Sequence, residues 1–539
     1  MKRIIAFTSV FFATLGLVAT GISAAQAASP WSTPVSLSSA SLMSMGPEVV
    51  VDSSGRAIAV WTASFGSSTF IQSSTSLNGS SWSTPVTISS PSTQSGAAHV
   101  VVDSTGRAVA VWRRNNGSNN ILQSSTSVNG GSWTTPVDVS AAGIETNNIQ
   151  LAVDSSGRAI VVWDSADGSN RSRVRVSSSV SGGAWSAPVM LSYDIEAYNP
   201  HVVIDSSNRA TVLWDGYNSN SDNVMMSSTS VSGAAWSAPL VLSAVGSQVG
   251  GGFLGLSSSG RAIAMWMQWD GTSYTVRSSN SVTGGAWSTP VTLSTAGYNA
   301  YNPRVAVDGS GRAIAVWHHY NGTTDEIQSS SSVNGGAWST PVNLSREARD
   351  FYYPEVIVDS AGRAIVTWSD DDGGSDDVVQ SSTSVNGGAW SAPVTVSVVG
   401  LTSYEAKLAP YTSGRALAVW ACYDGTSFIV QSSLISAQAP AIPSAPRSLT
   451  AGVVTSSSVA LSWLVPSSLN GATITDYVVK YRKAGTTPWL TFSHSASPVK
   501  ARTVTGLQRR TSYEFKVAAV ASAGTSAYTA VLTKSTFAK

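Results

Sequence analysis

Aromatic and polar residues stand side by side in one class of loop. Tyr217, Trp269, Tyr320 and Tyr423 lie next to or two residues from Asp215, Asp270, Asn321 and Asp424, and nearby connections add Tyr198, Tyr298, Tyr301, Phe351, Tyr352, Tyr353 and Tyr404. Aromatic faces stack on the C–H faces of sugar rings while carboxylates and amides take the hydroxyls, so this mixture has the chemistry of a glycan site. The same residue types are also common in exposed loops, where YNP and YYP would simply cap strands. A second set lies four residues before a recurring turn Asp or its replacement: Glu48, His99, Gln150, His201, Phe253, Arg304, Glu355 and Lys407. Its mixed charge suits a polar ligand or a solvated channel entrance. The candidate ligand-binding residues are Trp269, Asp270, Tyr217, Tyr320, Tyr423, Asp424, Tyr301, Arg304, Tyr352 and Tyr353.

Catalytic chemistry has less behind it. Glycoside hydrolysis needs two carboxyl groups roughly 5 to 10 Å apart, and acids outside the repeating template occur at Asp194, Glu196, Glu326, Glu347, Asp350, Glu355 and Glu405. There is no HExxH, no GxSxG and no close Cys/His cluster, and His318 beside His319 reads as a pair of surface histidines. No catalytic residue is assigned. No cofactor is implied, although Asp370, Asp371, Asp372, Asp376 and Asp377 with two glycines offer oxygens of the kind Ca²⁺ takes, at a spacing unlike the EF-hand loop.

These loops hang on a repeat. VDSSGRAIAVW, ending at Trp61, returns with small changes to end at Trp112, Trp163, Trp214, Trp266, Trp317, Trp368 and Trp420, a spacing of 51 or 52 residues. Periods near 50 mark propellers or solenoids. Alternating apolar residues run into Asp52, the Ser53, Ser54, Gly55 turn reverses the chain, and Arg56 to Trp61 alternates back. Gly55 takes positive φ in this reading, and the copy that replaces it uses Asn208. A second hairpin, FIQSSTSLNGSSWSTPVTIS, turns at Asn78 and Gly79 and opens its last strand at Trp82. The shared Arg beside each turn reads as scaffold, with its guanidinium on carbonyls or on the turn Asp.

The ends of the array make the sharper inference. WSTPVSLS at Trp31 is a fourth-strand sequence without its first three strands, and the array leaves after a third strand, FIVQSS, near Gln431. Joining them completes eight units. The sequence thus predicts an all-β chain: an eight-bladed β-propeller of four-stranded blades, its ring closed by the N-terminal strand. In such a blade the loops between second and third strands share a rim with the connections between blades, and that variable rim is where binding is expected.

Residues 1–27 have a basic start, an apolar run and Ala25, Gln26, Ala27, the pattern of a secretory signal peptide. The expected domains are then 28–437 for the propeller, 438–446 for a Pro/Ala-rich linker and 447–539 for a second domain. The chain of 539 residues is 11% charged with a formal net charge of +1, a balance that speaks against a nucleic-acid partner. It has no apolar anchor of spanning length at its C-terminus. The single Cys422 excludes an internal disulfide. A secreted, extracellular monomer is the expectation.

From Arg447 the chain resembles a fibronectin type III domain. The resemblance rests on Trp463 in ALSWLVP, Tyr477 and Tyr481 in DYVVKYR, and Leu507 with Tyr513 in TGLQRRTSYEFKV. It implies a β-sandwich with Trp463 as core anchor and Tyr513 as tyrosine corner. Residues Trp31 to about Ser436, through DSSGRAIAVW followed by GGAWSAPV, resemble the sialidase-like and lectin-like repeat proteins that bacteria secrete. They depart from true sialidases, whose Asp-box SxDxGxTW is tighter: here Trp61 lies nine residues after Asp52. No arginine triad or Tyr/Glu pair has a counterpart. The expected function is carbohydrate binding or cell-surface adhesion on the variable rim, with a polysaccharide or glycan as partner. The alternatives are an extracellular protein-interaction platform and a glycosidase, sialidase-like or polysaccharide-degrading.

Overall fold

A computed structural model describes residues 29–539 except 91–93, 142–144, 168, 170, 193–195, 219, 346–351, 372–375, 438–441, 468 and 470–471. The expected signal peptide therefore lies outside the described residues.

Each repeat folds as two antiparallel hairpins forming one sheet. The first sheet orders Met43–Val51, Ala57–Phe65, Ser68–Ser76 and Val86–Thr87 as neighbours, and six more follow the same plan through the repeat that ends at Val394–Thr395. The turn between first and second strands is closed by its Asp. Asp52 Oδ1 accepts bonds from the backbone N–H groups of Ser54 and Arg56 at 2.9 and 2.8 Å, and Gly55 sits at φ +86°. Asn208 takes φ +59° in the variant turn. The shared Arg joins neighbours: Arg363 holds Asp359 through Nε at 2.9 Å and donates through Nη2 to the Gly414 carbonyl of the next sheet at 2.9 Å.

Here the fold class read from the repeats needs correction. The eight-bladed β-propeller predicted one ring closed by the N-terminal strand; the backbone forms separate four-stranded sheets, and among the described residues no strand ladder crosses from one to the next or closes a ring. The repeats are a tandem of sheets stacked in sandwich-like layers. The physical reason lies at the edges. Each fourth strand is only two residues long, as in Val86–Thr87 and Val137–Asp138, too short to template a further ladder, so sheets meet through side chains. Trp61, Trp112, Trp163, Trp214, Trp266, Trp317, Trp368 and Trp420 are at most 1% exposed within these layers.

The pairing between the two ends of the array is nevertheless present. The eighth sheet orders Val35–Ser36, Phe428–Ile435, Arg415–Tyr423 and Ser403–Tyr411, with Val35 opposite Ser432 and Trp31 bridged to Ile435. Val49, Ala59 and Trp61 of the first sheet share a layer with Leu417, Val419 and Leu434 of the eighth. The Trp82 indole donates across that junction to Ser432 Oγ at 3.0 Å, as Trp185 does to Ser124 at 2.7 Å between the second and third sheets.

The C-terminal unit has a three-stranded sheet of Arg447–Val454, Ser458–Leu464 and Ala501–Thr505 and a second sheet built on Ile474–Lys483 and Ser512–Ala521. Trp463 and Tyr477 are buried with ring centroids 5.3 Å apart. The Tyr513 hydroxyl accepts the Gln508 backbone N–H at 2.9 Å, which is the expected tyrosine corner.

Candidate functional site

Antiparallel pairing brings the start of each first strand beside the end of its second. Tyr301 lies opposite His318, and Tyr404 opposite Ala421, so the connections between sheets share an edge with the loops between second and third strands. All eight first strands then bulge at one place. The register slips between Met45 and Glu48, Gly96 and His99, Tyr301 and Arg304, and at the five equivalent points. Within the slip one residue takes positive φ: Gly46, Ala97, Asn148, Asn199, Gly251, Asn302, Tyr353 or Glu405. Asn and Gly tolerate this conformation; Ala97, Tyr353 and Glu405 carry a Cβ into it at a cost, and such strain gathers at binding sites.

The bulges re-aim the residues that follow them. Two depressions, of about 460 and 270 Å³, share Ala97, His99 and Arg304. The larger is lined also by Asn148, Asn199, His201 and Phe253, and the smaller by Glu48, Tyr353, Glu355, Glu405 and Lys407. Residues from distant repeats thus meet. Lys407 Nζ lies 2.7 Å and Arg304 Nε 3.7 Å from Glu355 Oε1, His99 is 3.7 Å from Glu48, and the Arg304 guanidinium sits 4.8 Å from the centre of the Phe253 ring. Burial alone would raise the Glu355 carboxyl, but the Lys407 and Arg304 cations more than offset it and hold it below its usual value. Glu355 in turn raises Lys407 against the effect of burial. Burial first and the Arg304 charge second push His201 down to about 3, so this imidazole is neutral.

Next to this floor runs a row of rings. Trp269 packs edge-on to Tyr274 at 5.3 Å, Tyr274 lies 5.9 Å from Tyr301, and Tyr301 lies 5.8 Å from His318. The row crosses from the fifth sheet to the sixth, and Asn302 and Arg304 of the larger depression follow Tyr301 in the chain. All four rings are half-buried, each presenting some surface to solvent. His318 Nε2 is fixed by Asp325 Oδ1 at 2.5 Å. Tyr274 and His318 are absent from the residues that sequence reasoning selected. The hairpin register, which sets Tyr274 opposite Trp269, is the signal that finds the first of them.

The remaining candidates divide. Tyr217, Tyr320 and Tyr423 are 38 to 39% exposed at the ends of second strands in separate sheets. Tyr423 stacks against Phe428 at 5.2 Å, which also meets Tyr404 at 5.5 Å, a second and smaller aromatic group. Tyr352 lies at the start of its strand, opposite Ser369. Asp270 and Asp424 shape loops: Asp270 Oδ1 accepts the N–H groups of Thr272 and Ser273 and the Thr272 hydroxyl, and Asp424 repeats this on Thr426 and Ser427. Hydrogen bonds from those loop residues hold both carboxyls below the usual range. Among the acids considered for catalysis or Ca²⁺, Asp194, Glu347, Asp350 and Asp372 lie outside the described residues. No group of three His, Cys, Asp or Glu residues able to hold a metal occurs among the described residues.

Two acids that follow a buried Trp deserve separate notice. Asp164 and Asp215 are both buried, and Asn199 reaches both, its backbone N–H to Asp164 Oδ1 at 3.3 Å and its side-chain amide to Asp215 Oδ1 at 3.2 Å. Burial raises Asp164 and pushes Asp215 up to about 7.

The family comparison decides one part of the chain: residues 444–535 match the fibronectin type III family. They form a fibronectin type III domain. Titin module A71 from human cardiac muscle is 31% identical over 17% of this chain and 88% of that one, with a TM-score of 0.16. Over the repeats the chain is similar to the BP39L lectin from Burkholderia pseudomallei, 15% identical over 67% of this chain and 100% of that one, TM-score 0.47. A protein of unknown function from Dyadobacter fermentans is 11% identical over 66% and 97%, TM-score 0.39. At these scores neither defines the fold of the repeats. No curated protein matches the chain. Among the described residues no helix is long and apolar enough to cross a membrane.

Proposed function

We propose that this chain is an exported, extracellular protein that binds carbohydrate, as a lectin or an adhesin, along the edge where the first strands bulge. The row Trp269, Tyr274, Tyr301 carries this reading. Three partly open rings in sequence offer stacking faces to successive sugar units, and the polar floor beside them supplies oriented donors and acceptors in Asn302, Arg304 and Glu355. Neutral His201, with Arg113, Arg304 and Lys407 set against Glu48, Glu355 and Glu405, leaves that floor near zero net charge, which suits neutral hydroxyls better than a strongly charged ligand. Residues 1–27 are the export signal in this account.

The test is calorimetric titration of the full mature chain against a panel of neutral and acidic oligosaccharides, with reducing-sugar release followed in the same samples. Trp269→Ala and Tyr274→Ala should each weaken binding at least tenfold, while Tyr301→Phe, which keeps the ring, should weaken it less than threefold. Variants that melt like the parent and bind as it does would remove the row from the site. A folded parent that binds no oligosaccharide would overturn the carbohydrate reading, and sugar release would make the protein a hydrolase.

A further inference from the structure

The near-zero net charge of the chain is an average of two opposite parts. Residues 447–539 hold 11 Lys or Arg against Asp476 and Glu514, a formal +9, which leaves 20 basic and 28 acidic residues, a formal −8, for residues 1–446. The positive charge is arranged as well as concentrated. Lys480 and Arg482 project from the same face of Ile474–Lys483, and Lys516 lies opposite Lys480 on Ser512–Ala521. Arg482 and Lys516 both lie over the Trp489 ring, at 4.4 and 4.2 Å, and Lys516 and Lys480 both lie over Tyr528, at 4.6 and 5.5 Å. Rings and cations alternate across the sheet, and each cation is held in place by an aromatic face rather than swinging free. Arg482 is paired with Glu514 at 2.6 Å, but among the described residues neither Lys480 nor Lys516 has an acidic partner.

We infer that this face of the fibronectin type III domain docks an acidic polysaccharide, a linear chain bearing carboxylate or sulfate groups. Side chains two apart on one strand repeat at roughly 6.7 Å and neighbouring strands at roughly 4.8 Å, so the ammonium groups present a grid on which regularly spaced anions of an extended polymer are met in turn. The geometry disfavours nucleic acid. Recognition of single strands needs open aromatic faces for the bases, whereas Trp489 and Tyr528 each already carry two cations, and a broad sheet face enters neither groove of a duplex. The site lies in a different domain from the aromatic row of the repeats and is independent of it.

The experiment uses the full mature chain on immobilised heparin, polygalacturonate, neutral dextran and single-stranded DNA over a salt series. Heparin or polygalacturonate should be bound with an affinity that falls as salt rises, whereas any retention on dextran should be insensitive to salt. Lys480→Gln/Lys516→Gln should weaken that binding at least tenfold and flatten its salt dependence by a slope of about 1 to 2. Lys500→Gln/Lys534→Gln, with the same charge change elsewhere on the domain, should stay within threefold. Equal losses in the two double variants would reduce the effect to diffuse charge and overturn the assigned face. So would absence of binding at low salt, or tighter binding of DNA lost through the same two lysines.

Discussion

At the scale of single residues, the buried carboxyl of Asp215 makes the clearest claim. Its value of about 7 against an ordinary 3.8 arises mainly from burial, with the nearby Asp164 adding to it. Above pH 7 the group is ionised in both folded and unfolded chains and the native state bears the desolvation; well below pH 4 it is protonated in both. Between these limits the native state keeps a proton that the unfolded chain has released, so stability contributed by this group falls as pH rises, by about 1.4 kcal/mol per unit. Asp215→Asn keeps an oxygen for Asn199 and removes the titration. Its melting temperature should exceed the parent's at pH 8, with the difference disappearing toward pH 4; a constant difference across that range would refute the assignment. A second residue-scale claim separates loop shaping from ligand contact. Asp270→Asn preserves the oxygen that the Thr272 and Ser273 N–H groups use, so it should bind oligosaccharide within twofold of the parent in the titration above. A tenfold loss would mean that the carboxylate itself meets the sugar.

At the scale of elements, the bulged first strand is the part of the site that was least legible. The turns could be read because Asp, Gly and Arg recur at fixed offsets, and the strands because apolar residues alternate around them. The bulge leaves no such mark: its positive-φ position holds Gly, Ala, Asn, Tyr or Glu in different repeats, and only the Asn of YNP at Asn199 and Asn302 hints at it. The aromatic row was half legible. Trp269 and Tyr301 stand out by composition, whereas Tyr274 joins them only through hairpin register and His318 only through pairing with Tyr301. Backbone strain at the bulge is measurable. Replacing Ala by Gly ordinarily destabilises a strand, yet at Ala97, φ +52°, it removes a Cβ from a left-handed conformation. Ala97→Gly should therefore leave the melting temperature unchanged or raise it, while Ala98→Gly, at the buried neighbour in ordinary strand conformation, should lower it by several degrees. Equal losses at both positions would argue that the bulge carries no strain.

At the scale of the whole molecule, the repeats told what each unit is and which strand the eighth unit lacks, but they predicted one closed ring where the backbone pairs only within separate sheets. Backbone ladders therefore stop at every sheet edge, and cohesion between sheets falls to the tryptophan layers and to side-chain bonds such as those of Arg363 and Trp82. The eighth sheet is the demanding case, because its strands come from opposite ends of the array. Trp31 is 6% exposed in the layer between the seventh and eighth sheets, packed with Ile365, Trp420 and Ile435, while the two-residue strand Val35–Ser36 supplies few backbone bonds of its own. Side-chain burial must then hold the N-terminal segment in place. Trp31→Ala removes one of the largest apolar surfaces available to it and should cost about 3 to 5 kcal/mol. The loss should be local in origin: hydrogen exchange is expected to rise first in Phe428–Ile435, whose outer edge the segment covers, and to leave the third and fourth sheets protected. If exchange instead rose uniformly through all eight sheets, the array would unfold as one unit, and the end junction would hold the whole tandem together rather than only its last sheet.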